Sequence, residues 1–534
     1  MRAENRSLFD SSRRTAARTV RPRASPSPDP LSPGAAPAVR YGFAIDHRKC
    51  IGCHACTVAC KSENEVPLGS FRTWVKYLEK GKHPDVRRSF TVLRCNQCED
   101  APCVTICPVT ALSRRPDGIV DLDGGVCVGC KACLQACPYD ALYLNDDTGT
   151  AQKCHYCAHR IERGLKPACE VVCPEHAIVG GDLDDPAGEL ATLLRTEKSF
   201  VRKPEKKTRP KVFYVGSEAA NLDPVAAGED ASYLWANRVE ADPVTPGLEV
   251  ADPSLLRTVY DVPHRLHWGG KVSLYLLTKS ISAGAGLFIG IRTLFGYPFH
   301  WRDELAAAAI GLVFLALTLV LLVADLKRPE RFLLILTRPN WKSWLVRGSY
   351  ALMAYGLALT ALGAAAVFGA EGARVPIAIA LIPTAALAAG YTGFLFNQAR
   401  GRDLWLARDL ALHLVAQALL AGGAAFLVFD AFDGGATIGA RVALLVGVAA
   451  HILYVRAREG RPDTQNRARE LARLALEKRS RVSELLLGLA LLLSLVAVIA
   501  TLPLLSSAAG LLALVALFIY EDAFVRAGQS VPLS

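Results

Sequence analysis

Hydrophobic residues are arranged in two different ways along the chain, and the change falls near residue 263. Before it, apolar residues come in short runs broken by charge, Pro and Gly, which predicts short strands, single turns of helix and loops. After it, from about Lys271, Ala, Leu, Val and Gly dominate and charges retreat to short islands. A helix needs about 20 mainly apolar residues to cross a bilayer, because backbone groups in lipid have to be satisfied within the segment. Eight runs meet that requirement: 271–294, 304–325, 347–369, 373–396, 405–429, 437–456, 482–502 and 504–524. Only a turn around Pro503 separates the last two. The expected architecture is an α+β domain followed, over 263–534, by an all-α polytopic bundle of about eight transmembrane helices.

The polar half divides again. Residues 1–40 are rich in Arg, Ser and Pro, poor in acids, and read as a disordered basic tail. Arg13-Arg14 lacks the apolar stretch of about 7–15 residues that an export signal needs, since prolines recur from Pro22 to Pro37. Export by a signal of its own is not expected. Residues 41–185 form the next domain. Residues 186–262 read as an extension and linker, with a short helix over Leu190–Arg195, a strand over Lys211–Val215 and an acidic tether from Ala219 to Pro263.

The 16 cysteines change this picture most, because all of them lie between Cys50 and Cys173. They fall into four groups: Cys50, Cys53, Cys56, Cys60; Cys95, Cys98, Cys103, Cys107; Cys127, Cys130, Cys133, Cys137; and Cys154, Cys157, Cys169, Cys173. The third has the C-x2-C-x2-C-x3-C-P spacing of bacterial ferredoxins. A tight loop with three thiolates wraps one face of an iron–sulfur cubane, and the fourth cysteine, three residues on, points to the other cluster of a pair. A Pro follows Cys107, Cys137 and Cys173, where the chain turns and needs no N–H. Structural zinc would use CxxC pairs alone and would leave the repeated cysteine-before-proline without a purpose. The domain is therefore expected to be a ferredoxin-like iron–sulfur domain. His54 and His155 read as loop residues, and 61–94, with its Phe71–Tyr77 mix of aromatic and basic residues, reads as an insertion covering the module.

Cys50 to about Asp185 resembles the four-cluster ferredoxin subunit of the dimethyl sulfoxide reductase, polysulfide reductase and formate dehydrogenase families. That resemblance implies four [4Fe–4S] clusters with the groups paired first with fourth and second with third. One cluster would take Cys50, Cys53, Cys56 and Cys173, and its neighbour Cys154, Cys157, Cys169 and Cys60. A third would take Cys95, Cys98, Cys103 and Cys137, and the last Cys127, Cys130, Cys133 and Cys107. Lys61 stands where the family has a Pro after the fourth cysteine of group one.

Residues 265–525 resemble the polysulfide reductase membrane subunit of NrfD type. The resemblance rests on Asp325-Leu-Lys-Arg-Pro-Glu-Arg, Gly390-Tyr-Thr-Gly-Phe, and Leu274-Tyr-Leu-Leu-Thr-Lys-Ser with the small residues Ser282–Gly286. It implies a quinone or quinol site near the ferredoxin side and no haem. His267, Tyr391, Asp409 and His413 are the candidate quinone-binding residues, with Asp409 and His413 on one helix face at i and i+4. Lys279 is a further ionisable group inside a span. His413 and His451 are the histidines well inside the later spans.

Basic residues in short loops set orientation. The face shared with the ferredoxin module carries Lys327, Arg328, Arg331, Arg338, Lys342, Arg347, Arg400, Arg402, Arg408 and the loop Arg456–Arg481. The opposite face has Arg292, Arg302, Arg374 and Arg441. The asymmetry predicts an inner-membrane protein with the module on the cytoplasmic side, although some members of the resembled family face the periplasm. No pterin, flavin or nucleotide fingerprint is present, and no nucleic-acid partner is implied.

The expected role is an electron relay between a separate catalytic subunit, of molybdopterin type by the resemblance, and membrane quinone. No site for the primary substrate is expected in this chain. A redox-driven proton translocator is the alternative, and an iron–sulfur sensor or anchor without quinone chemistry a third. Four cubanes imply about 16 iron atoms and as many sulfides per chain. Iron and acid-labile sulfide analysis of the purified protein is expected to return those values; about eight of each would contradict the cluster count.

Overall fold

A computed structural model describes residues 39–81, 84–229, 256–295, 301–433, 438–500 and 502–534. All but the last two residues of the basic tail, and the middle of the tether, lie outside them. Val39–Ser534 form one compact unit.

The ferredoxin half is built on two four-stranded sheets and two short hairpins. Tyr41–Asp46 runs through the first sheet, antiparallel to Ile178–Asp182 and parallel to Val212–Val215, so the start and the end of the module close over one core. Being a central strand, it is buried from Gly42 to Asp46 without alternation. In the second sheet Thr73–Lys80 pairs with Arg87–Arg94, from Thr73 opposite Arg94 to Lys80 opposite Arg87. Arg257–Tyr260 adds antiparallel to Thr73–Lys80, so the end of the expected tether is a strand. Period-2 alternation is absent from Arg257–Tyr260 and the strand is held by its backbone partners, which is why composition alone read it as linker. The expected helix is present as Glu189–Thr196, and the expected strand as Val212–Val215.

The cysteine loops share a backbone rule. In each, the residue before the second cysteine has positive φ: Gly52 (73°), Gln97 (45°), Gly129 (67°) and Tyr156 (59°). That left-handed step reverses the chain so that a short loop can curl round one centre. After the fourth cysteine of groups two, three and four, Thr110, Asp140 and His176 again have positive φ, three residues on. Group one differs because helix Ala55–Glu63 continues through Cys60, and Lys61 provides the N–H-bearing residue that a Pro would not.

Eight helices among the described residues are long and apolar enough to cross a membrane: Gly270–Leu294, Trp301–Asp325, Trp344–Phe368, Arg374–Gln398, Leu410–Asp433, Ile438–Arg458, Arg467–Ile499 and Pro503–Ser530. The seventh begins well before its expected start. Residues 467–481, expected as loop, are helical because Asn466 caps the N-terminus by accepting from the Arg469 N–H. Arg473 with Glu470 and Glu477, and Arg481 with Glu477, add i,i+3 and i,i+4 pairs. Small residues let the first and fifth spans touch: a Cβ at Gly284 would collide with the Ala418 carbonyl oxygen.

The two halves share one hydrophobic core. Cysteine-loop residues Ile106, Val128, Leu134 and Ala136 pack with Trp268, Phe396, Trp405 and Phe524 of the bundle. Trp405 stacks on Trp268 and Phe396, with ring centroids 5.6 and 4.8 Å apart. Gly401 lies so close beneath the third cysteine loop that a Cβ there would be 2.6 Å from the Cys137 carbonyl oxygen.

Candidate functional site

The cysteines gather into sets that mix groups distant in sequence. Cys50, Cys53, Cys56 and Cys173 line one void, together with Val75 and Val92 of the hairpin. Cys60, Cys154, Cys157 and Cys169 line a second, with Phe43, Asn64 and Arg94. Cys107, Cys127, Cys130 and Cys133 line a third. Cys95, Cys98, Cys103 and Cys137 interact electrostatically with one another. His54 and His155 border the first and second voids, His54 packed edge-on to Tyr260 and His155 against His159.

The donor chemistry suits iron–sulfur clusters. Among the described residues no three His, Cys, Asp or Glu side chains converge tightly enough for a single metal ion, so the thiols surround space instead of a point. Burial pushes the Cys56, Cys137 and Cys157 thiols up to about 11 and Cys130 to about 12. A metal core reverses that preference, since a coordinating thiol is deprotonated outright. Backbone N–H groups face the sulfurs: Ala177 N–H donates to Cys173 Sγ at 3.2 Å, and the N–H groups of Val109, Ala111 and Leu112 turn to Cys107.

The set of Cys107, Cys127, Cys130 and Cys133 lies on the seam with the bundle. Asn340 Nδ2 donates to the Cys107 carbonyl at 2.8 Å, Ser343 Oγ to Ile106 at 2.7 Å, and Arg331 Nη1 to Cys127 at 2.9 Å. Lys131, inside the cysteine loop, pairs with Asp325 at the end of the second span, 2.8 Å away. Gln135 bridges Gln529 and Arg402, both at 2.8 Å. Lys131, Gln135, Asn340 and Ser343 gave no signal in the sequence, whereas Asp325 was visible in a family motif and Arg331 and Arg402 as basic residues of this face.

The four candidate quinone residues are not brought to one place. His267 sits at the seam, its N–H donating to Gln529 Oε1 at 3.2 Å, and burial pulls its imidazole down to about 4. It is therefore neutral at pH 7. Tyr391 is buried in the fourth span, five residues and so about 7.5 Å along the helix from Phe396 at the seam. Lys279 lies over its ring at 5.2 Å and donates to the Ala389 carbonyl at 2.7 Å and Thr392 Oγ1 at 2.8 Å. Glu521 of the eighth span, unanticipated from sequence, attracts Lys279 electrostatically.

Asp409 and His413 diverge. The fifth helix begins at Leu410, so Asp409 precedes it and turns outward to Arg458, whereas His413 turns into the bundle. There His413 Nε2 meets His451 Nδ1 at 2.9 Å and stacks on Tyr454, with centroids 3.8 Å apart. Tyr520 contacts both imidazoles edge-on and donates to Glu459 Oε1 at 2.6 Å. Burial raises the Glu459 carboxyl to about 7. Glu459 and Tyr454 also line a cleft of about 270 Å³ with Arg458, Arg461, Arg469 and Arg473. A larger cavity of about 450 Å³ lies between Phe200–Lys206, Arg402-Asp403 and Val531–Leu533, and none of the four candidates borders it.

A cysteine-rich domain with cluster-sized thiol sets, packed on an eight-helix bundle, defines a membrane-bound iron–sulfur electron-transfer protein. Residues 86–183 match the family described as 4Fe-4S dicluster domain, and 258–518 the family described as Polysulphide reductase, NrfD. The sequence is 44% identical to a tetrathionate reductase subunit of Salmonella typhimurium, over 37% of this chain and 81% of that protein. It is 39% identical to a polysulfide reductase chain of Wolinella succinogenes, over 35% and 99%. With the arsenate respiratory reductase iron–sulfur subunit ArrB of a Shewanella species it shares 34%, over 34% and 97%. This protein belongs to the family of iron–sulfur subunits of these reductases, with an NrfD-type membrane domain fused to it. Its relatives are subunits of reductase complexes, which implies a separate catalytic subunit.

His264 ties the entry of the first span to the module. It pairs with Asp140, just after the third cysteine loop, and lies 3.7 Å from Asp261. Burial alone would lower its pKa, but hydrogen bonds to Asp140 and Asp261 outweigh burial and raise it to about 10. A group raised on folding stabilises fully below its unfolded pKa, about 6.5, and loses that contribution as pH rises through its folded value. Because the His264 side chain is about a third exposed and its pairing is screened by water, His264→Gln is expected to cost about 1 kcal/mol at pH 6, measured by unfolding of the detergent-solubilised protein. The difference from wild type should shrink as pH approaches 10. A penalty that does not change with pH would contradict the pairing.

Proposed function

We propose that the chain relays electrons through four [4Fe–4S] clusters between a molybdopterin catalytic subunit and membrane quinone. The observation that carries this reading is the placement of Cys107, Cys127, Cys130 and Cys133 against the spans. An electron arriving at the far side of the module has a succession of thiol sets leading to the lipid-embedded half. Clusters supply one-electron chemistry there; the protein's part is to hold them in line, exclude water and handle the two protons that quinone takes up or quinol releases. Neutral His267 at the seam is suited to hydrogen-bonding a quinone carbonyl, and Tyr391 beside Lys279 offers a second polar contact deeper in.

The far side is suited to the catalytic partner. Cys53 is exposed, and Ile51 (54% exposed), Val58 (64%) and Val171 (60%) stand on the loop and helices around the first set. Apolar residues grouped at a redox centre fit a docking surface. Relatives whose names specify tetrathionate, polysulfide or arsenate reductases leave the partner's substrate as a sulfur, arsenic or related oxyanion species.

A proton-translocating role is favoured by one specific observation, the buried line of Glu459, Tyr520, His451 and His413 beside an aqueous-facing cleft. It does not require the quinone reading to change; it adds a path for protons beyond those quinone consumes.

Cytoplasmic placement of the module is the third element of the proposal, and its support is narrower than a count of charges. Arg328, Arg331 and Arg402 donate to carbonyls or side chains of the module and the adjoining C-terminal segment, so docking accounts for them in either compartment. Arg338, Lys342, Arg347, Arg408, Arg461, Arg467 and Lys478 remain as the topological signal, whereas Arg400 also acts on Asp100 of the module.

Quinol-driven reduction of the clusters, followed by EPR in proteoliposomes, tests the relay. Wild type is expected to be reduced, with His267→Ala and Tyr391→Phe each at least about tenfold slower, the scale of one lost hydrogen bond to a reacting group. Wild-type rates in both would remove those residues from the site, and no reduction of wild type would remove quinol as donor. Orientation is read from Thr464→Cys: impermeant thiol reagent is expected to label it in inverted vesicles and not in intact cells, and the opposite result would place the module outside.

A further inference from the structure

Arg94 is a guanidinium buried among thiols, with no carboxylate among the described residues to balance it. It ends the strand Arg87–Arg94, opposite Thr73, immediately before Cys95. Its relative exposure is 0%. Nη1 donates to Cys169 Sγ at 3.3 Å, and the group stacks over the Phe43 ring at 4.4 Å. Nε and Nη2 are buried without a hydrogen-bond acceptor. The side chain lines the same void as Cys60, Cys154, Cys157 and Cys169, and its other electrostatic neighbours include Cys56 of the adjoining set. Among the described residues Arg94 takes part in no ion pair with Asp or Glu.

An uncompensated buried cation is strongly unfavourable, and arginine does not escape by losing its proton. The anion that balances it has to occupy the void. A cubane held by four thiolates carries net negative charge, and one-electron reduction adds another negative charge to the same small volume. A fixed cation at hydrogen-bond distance from a ligand sulfur therefore favours the reduced state over the oxidised one. Arg72 also lines that void, but it is only half-buried and its hydrogen bonds go to Asn64, Tyr143 and Gln152 instead of to a sulfur, so its charge acts from farther off and is better screened. Asn64, which reaches Cys60 Sγ at 3.6 Å, is neutral.

We propose that Arg94 is the buried counter-charge of the cluster bound by Cys60, Cys154, Cys157 and Cys169 and sets its reduction potential above that of an otherwise equal site. This rests on the reading that those four cysteines hold one cluster. Because Cys56 also feels the charge, the neighbouring cluster is raised less, so the two sites farther from the membrane are separated in potential. Arg94 is a positioning residue for electron flow; it touches a ligand and not the substrate.

EPR-monitored potentiometric titration of the full chain in detergent tests the proposal, with iron content measured on each sample. Arg94→Met is expected to keep its iron and to lower the potential of one cluster by at least tenfold in the reduction equilibrium, about 59 mV for one electron. Arg94→Lys, which keeps the charge, should lie closer to wild type than to the Met variant. Full iron in Arg94→Met with wild-type potentials overturns the proposal. If the Met variant loses iron, retention of the cluster by Arg94→Lys supports it, and loss from both overturns it. A wild-type iron content too low for four clusters, read on the same series, fails the four-cluster reading separately.

Discussion

The module is held together by cysteines that close pockets begun elsewhere in the chain. Cys173 completes the void opened by Cys50, Cys53 and Cys56, while Cys60 completes the one opened by Cys154, Cys157 and Cys169. Cys107 does the same for the third group. Each cross-connection ties two loops to one centre, and the strands between are short because they have only to span from one centre to the next. Buried thiols alone would repel further charge and stay protonated. A bound cluster would turn the same burial into a strong, dry ligand field, which is the physical basis on which metal binding contributes to folding in small metal-dependent domains.

The second constraint is the seam. The bundle does not merely anchor the module: Asn340, Ser343 and Arg331 bond to backbone within the cysteine loops, and Trp268 and Trp405, just ahead of the first and fifth spans, complete the core beneath them. Fusion of the two domains into one chain makes this contact permanent. It also sets the third cysteine loop at the edge of the bundle, next to His267 and above the buried Lys279, Tyr391 and Thr392.

The parts of this architecture legible in the sequence are those with a strict period or a strict chemistry. Cysteine spacing marked the loops whose thiols the fold gathers into sets, and runs of apolar residues carried the eight helices, because both follow from hard requirements of geometry and solvation. Lys61 looked like a defect in the motif; it marks a helix that continues. What stayed hidden was decided by contacts across the fold. Residues 467–481 read as a charged loop because their stability lies in side-chain pairs and a cap. Asp409 and His413 share a helical spacing, yet the helix starts between them and sends one to Arg458 and the other to His451. Arg94 is one charge among many in the sequence, and only burial separates it from the rest.

In the proposed relay the cluster-binding sets form a line ending on the membrane seam, with Cys107, Cys127, Cys130 and Cys133 last. Electron cryomicroscopy of the purified, iron-loaded protein tests it directly. Four cubane densities are expected, one in each thiol set, with the last beside Asn340 and Trp268. Densities in fewer than four sets, or a module detached from the spans, would contradict it.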